Sequence, residues 1–80
     1  MKGRVRVTLK DGVLDPQGKA IAQALARLGF DDVEGVRQGK LIEIEIAERD
    51  AAKARAELEA MCEKLLANPV IEDYAIELAE

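Results

Sequence analysis

Segments of alternating apolar and polar residues stand at both ends of the chain and again near its middle, separated by two segments of helical spacing. This order of periodicities restricts the fold more than any single residue does. Residues 2 to 9 place Lys2, Arg4, Arg6 and Thr8 on one side and Val5, Val7 and Leu9 on the other, the period of a half-buried strand. After Lys10-Asp11-Gly12 turns the chain, Asp15-Pro16 reads as a helix cap followed by proline at the first helical position. Ile21, Ala24, Leu25 and Leu28 then share one stripe and Gly29 supplies the stop, which predicts a first helix over 16–28. Residues 33–37 are expected to form a short strand, with Gln38-Gly39 as a hairpin turn into a second run over 40–47. In that run Ile42, Ile44 and Ile46 alternate with Glu43 and Glu45.

Residues 49 to 67 are dense in Ala, Glu, Lys and Leu, and Ala51, Ala54, Leu58, Met61 and Leu65 recur at helical spacing. Asn68-Pro69 ends that helix. In the last segment, 70–79, Tyr74, Ile76 and Leu78 alternate with Asp73, Ala75 and Glu77. Strand, helix, strand, strand, helix, strand most simply forms an α+β ferredoxin-like sandwich, with two helices on one face of a four-stranded antiparallel sheet. In that topology the first and third strands are neighbours, so Arg4 and Arg6 should share the outer face with Glu43 and Glu45, while Asp73 and Glu77 approach from the other flank. Each opposite-charge pair would contribute roughly 0.2–1 kcal/mol. Complementary edges also suit strands paired or swapped between subunits.

The charge distribution fits such faces. Residues 1–40 hold eight Lys/Arg against five Asp/Glu, and residues 41–80 hold four against eleven, within a net charge of −4. At 80 residues, 49% hydrophobic and 35% charged, the chain is one domain, 1–80, with an aliphatic core. A core of this size supplies only ~3–5 kcal/mol, so a partner surface is expected. No run approaches the ~18 apolar residues of a membrane span, and the N-terminus lacks a signal-peptide core, which points to the cytoplasm.

Chemistry-bearing residues are scarce. Histidine is absent and Cys62 is the one cysteine, without metal-ligand spacing, so it is expected to pack in a helix. Glu43 and Glu45 share a strand face and could form an acid pair or hold a divalent cation, but a salt-bridged face is the simpler expectation. Gly39-Lys40 lacks the surrounding pattern of a phosphate loop. The basic stripe Lys2, Arg4, Arg6 would suit RNA, yet one Tyr and one Phe give no stacking platform. Residue by residue, the chain is a soluble binding or accessory module that carries out no catalysis itself, or a regulatory module that binds a small metabolite between subunits.

Three segments are similar to a known family: Val5-Arg6-Val7-Thr8-Leu9-Lys10 continuing into Gly12 to Gly18, Val36-Arg37-Gln38-Gly39-Lys40, and Cys62 to Tyr74. Together they resemble PurS, the small subunit of phosphoribosylformylglycinamidine synthase, over essentially the whole chain. The resemblance implies a part in the fourth step of purine biosynthesis. There ATP and glutamine convert formylglycinamide ribonucleotide to formylglycinamidine ribonucleotide, a carbon–nitrogen ligase reaction. It further implies a glutaminase partner, PurQ, that releases ammonia, and a synthetase partner, PurL, that uses ATP and Mg. No cofactor is then expected on this chain, which would associate as a dimer or tetramer, assemble PurL with PurQ and assist ammonia transfer. Under that resemblance the candidate partner-contact residues are Asp15, Pro16 and Gly18 at the first helix, Arg37, Gly39 and Lys40 at the expected hairpin, and Asn68 and Pro69 before the last strand.

Overall fold

A computed structural model describes residues 1–79. Strand β1 (Lys2–Leu9) is followed by helix α1 (Pro16–Arg27), strand β2 (Gly39–Glu45), helix α2 (Ala51–Met61), a single π turn (Cys62–Leu66) and strand β3 (Glu72–Ala79). The three strands form one antiparallel sheet of order β2-β1-β3, with Arg4 opposite Glu43 on one side and Glu77 on the other.

The expected cross-strand charges meet. Glu43 accepts from Arg4 Nε at 3.2 Å and lies 3.2 Å from Lys2 Nζ, Lys10 Nζ stands 2.7 Å from Asp73, and Arg6 pairs with Glu77. All are solvent-exposed, so their value lies in fixing register more than in stability. A one-residue slip of either flanking strand would set these charges against the apolar face.

On that inner face Val5 and Val7 are fully buried, flanked by Ile42 and Ile44 from β2, by Ile46 just after it, and by Tyr74, Ile76 and Leu78 from β3. Helix α2 covers it with Ala54 and Leu58, and the π turn adds Cys62, all fully buried. Gly3 is the hole for Leu58, since a Cβ at that strand position would lie 2.6 Å from Leu58 Cδ1. Asp50 starts α2 by accepting from the amides of Ala52 and Lys53, satisfying donors the first turn leaves free.

Four expectations require correction. Residues 33–37 form no strand, so Gln38-Gly39 is not a hairpin turn; Gly39 opens β2 directly. The described sheet therefore has three strands rather than four. The second helix is α-helical only to Met61, where the π turn inserts an extra residue per turn. That insertion advances the buried stripe from Leu58 and Cys62 to Leu66 and Ala67, and Leu65, expected in the core, is left 82% exposed. Finally, α1 does not lie on the sheet beside α2: it has no extensive contact with either.

Instead α1 projects from the end of the sheet. An eight-residue strand spans about 27 Å and a 12-residue helix about 18 Å, and laid end to end they account for the 48 Å long axis of the molecule. The radius of gyration is 15.9 Å, where a compact chain of this length would have roughly 12 Å. Along the projecting arm Ile21, Leu28, Phe30 and Val33 are exposed.

Candidate functional site

The eight residues singled out from the sequence converge where β1 ends, β2 and β3 begin and α1 departs. Asp15 is the organiser. One carboxylate oxygen accepts from the Gly18 amide at 2.9 Å, capping α1, and the other accepts from the Gln38 amide at 2.9 Å, 23 residues away. The side chain thus clips the start of the arm to the segment that returns from it. Pro16 sets the first helical φ and has no amide to leave unpaired.

Gly18 is buried in this clip. A Cβ there would stand 2.5 Å from the Val36 carbonyl oxygen, so the backbone packed against this bare first turn belongs to the same chain. Gly39 is confined in the same way: its Cβ would meet the Val7 carbonyl at 2.6 Å, across the β1–β2 ladder.

The two basic residues already hold partners within the chain. Arg37 donates to Asp11 at 3.2 Å, a surface pair, and Lys40 Nζ lies 3.9 Å from Glu72. Glu72 also accepts from the Asn68 amide at 2.7 Å, which ties Asn68 and Pro69 to the same end of the sheet. Asn68 in turn accepts from the Val70 amide at 3.1 Å, forming the tight Asx turn that launches β3. These contacts leave an open groove of about 310 Å³ floored by Val7 and Leu9 and bordered by Asp15, Pro16, Gly39, Lys40 and Glu72.

Glu72 was not among the residues singled out from the sequence. Its signal is positional, because it continues the alternation of Tyr74, Ile76 and Leu78 toward the apolar face, where a carboxylate is out of place. The Asp15–Gln38 clip had no such signal, since nothing local relates residues that far apart.

The acid–base properties follow from these contacts. The amides of Gln38 and Gly18, with the Arg37 charge beyond them, hold the Asp15 carboxyl below its ordinary range. Lys2 and Arg4 do the same for Glu43, the arrangement of a salt-bridged face. Burial, reinforced by Glu63 and Glu59, pushes the Cys62 thiol up and disfavours its thiolate. Both lowered carboxylates stabilise the fold above their unfolded values of about 4 and lose that contribution as pH falls through the lower folded values. The urea midpoint should therefore hold steady from neutral pH to about 5 and decline below about 4. Asp15→Asn, which cannot titrate, should separate from the parent at neutral pH and converge with it in acid. Equal separation at pH 7 and pH 3 would refute the role given to the clip.

The family model for PurS, phosphoribosylformylglycinamidine (FGAM) synthase, matches residues 2–80. The chain belongs to the PurS family. A Bacillus subtilis phosphoribosylformylglycinamidine synthase subunit PurS is 47% identical over 79 residues, covering 99% of this chain and 93% of that protein. A Methanocaldococcus jannaschii PurS crystal structure superposes with a TM-score of 0.86 at 49% identity, covering 95% and 92% of the two chains. A chain in the structure of PurLQS from Thermotoga maritima superposes with a TM-score of 0.87 at 33% identity, covering 95% and 93%. No helix among the described residues is long and apolar enough to cross a membrane.

Proposed function

We propose that this chain is the small, accessory subunit of a phosphoribosylformylglycinamidine synthase, working in the cytoplasm as one PurS-like domain. Its reading as a member of an assembly rests above all on the match to a chain of a PurLQS complex. PurQ then frees ammonia from glutamine, PurL consumes it with ATP and Mg, and this chain holds the two together so that ammonia passes between them. The chemistry belongs to the partners, and this subunit contributes geometry.

Self-association is part of the proposal, and the arm supports it. Helix α1 carries an apolar stripe without a partner on its own sheet, while Ile42 and Ile44 of β2, with Ile46 just after it, lie on the inner face at the side α2 does not extensively cover. A second copy can satisfy both by laying its arm over this β2 row as it receives this arm in return, a two-fold exchange. Such an exchange restores the two helices per sheet of the ferredoxin-like sandwich, and segment 33–37 from the other copy can supply its fourth strand.

Two measurements test this. Glutamine-dependent turnover by PurL and PurQ should require the chain, whereas ammonia-dependent turnover by PurL should proceed without it; equal glutamine-dependent rates in its absence would refute the accessory role. Ile21→Asp with Leu28→Asp, both exposed in the single chain, should reduce the mass in solution to that of a monomer. A mass unchanged by this double substitution would remove the arm from the self-interface.

A further inference from the structure

Two charged residues stand on the apolar face of the sheet. Lys40 lies opposite Val7 and Glu72 opposite Leu9, so both continue the inward-facing alternation rather than the charged outer one. Helix α2 does not reach this end: none of its residues borders the groove over Val7 and Leu9, which is open and holds about 310 Å³. The Glu72 side chain is only 15% exposed. One of its oxygens accepts from the Asn68 amide at 2.7 Å. The other faces Lys40 Nζ at 3.9 Å, beyond hydrogen-bond range, and accepts no hydrogen bond among the described residues. A carboxylate so far withdrawn from water gains from a second donor.

We propose that this groove binds a small zwitterion, an α-amino acid with an uncharged side chain. Its ammonium donates to the free Glu72 oxygen and its carboxylate accepts from Lys40, which replaces one long contact by two charge-assisted hydrogen bonds. The two charged heads of an α-amino acid are joined through a single carbon, and so suit an ammonium and a carboxylate that stand this close together. Val7, Leu9 and Pro16 offer apolar surface to the ligand's side chain, and Gln17 and Gln38 border it with neutral polar groups. Charge excludes anions. Asp15 and Glu72 outnumber Lys40 around the groove, so a phosphate or a nucleotide meets net repulsion there. Size agrees, since the volume lies at the lower end of small-ligand sites, roughly 300–1,000 Å³. The row that receives the second copy's arm begins at Ile42 and runs away from Lys40, so the site stands apart from that contact and from the subunit reading.

The test follows the backbone amide resonances of the isotope-labelled full chain as each L-amino acid with an uncharged side chain is added in turn. At least one should produce saturable shifts at Gly39, Lys40 and Glu72 at millimolar concentration or below. Its N-acetyl and methyl ester derivatives, each missing one charged head, should bind about tenfold more weakly or not at all. Glu72→Gln, which keeps an acceptor for the Asn68 amide, and Lys40→Met, which keeps the aliphatic stem, should weaken binding to a similar degree. The derivatives probe the same two contacts on the unaltered chain, so the outcome does not depend on how stable the variants are. Absence of saturable shifts at these residues with every amino acid would overturn the site. Derivatives that bind as tightly as their parent amino acid, or inorganic phosphate that saturates the same residues, would overturn it equally.

Discussion

Leu58→Ala is expected to leave the chain largely unfolded at physiological temperature. Leu58 is fully buried, seated over Gly3 and against Val5, Val7 and Cys62. Truncating a leucine in such a site costs about 2–5 kcal/mol, the loss of transfer energy plus the cavity left behind. That is comparable with the ~3–5 kcal/mol a single core of this size supplies. The glycine beneath it cannot close the cavity, because it has no side chain to move. Far-ultraviolet circular dichroism against temperature checks this; a melting temperature within a few degrees of the parent would mean that the α2–sheet layer is not the main source of stability. Raising the protein concentration should recover part of the loss if a second copy binds only the folded chain.

Gly18→Ala carries the second largest expected effect, and its sign is informative. In an exposed helix the substitution would stabilise by about 0.8–1 kcal/mol through helix propensity. Here the new methyl would lie 2.5 Å from the Val36 carbonyl oxygen and 2.7 Å from an Asp15 carboxylate oxygen, and neither is the end of a flexible side chain free to swing away. Overpacking of this kind costs typically ~1–3 kcal/mol, so the clash should outweigh the propensity gain. For a domain of this length each kcal/mol lost lowers the melting temperature by about 4–8 °C. The same strain should open the Asp15–Gln38 clip, so amide exchange at Gln38 should accelerate together with the fall in melting temperature. A melting temperature equal to or above that of the parent would show that the return segment is not closed onto α1.

Much of the fold was legible because it depends on local period and local chemistry. The alternation of Val5 and Val7 with Arg4 and Arg6, the Asp15-Pro16 helix start and the Asn68-Pro69 stop each act within a few residues. Register was legible too, since the basic residues of β1 have acidic counterparts on both flanking strands at the same spacing. The short segment 33–37 was misread as a strand because a brief apolar–polar alternation does not distinguish a strand from an extended loop lying along a helix. Leu65 was misplaced for a different reason: helical spacing assumes a constant rise, and one π turn shifts every later residue. Among the candidate contact residues, the ion pairs of Arg37 with Asp11 and of Lys40 with Glu72 were not legible, because they join residues far apart in the chain.

Sequence by itself determined the start of α1, the charge-matched order β2-β1-β3 and the membership in the PurS family, all of which rest on patterns of residue type. Only the tertiary structure decided where α1 goes. An amphipathic helix carries the same stripe whether it covers its own sheet or projects beyond it, and its direction here is set by the clip among Asp15, Gly18, Val36 and Gln38. Asp15 and Gly18 are read locally as a helix start, whereas Val36 and Gln38 meet them through a carbonyl and an amide that every such residue possesses, so the meeting leaves no trace in residue type at that side until the chain is folded.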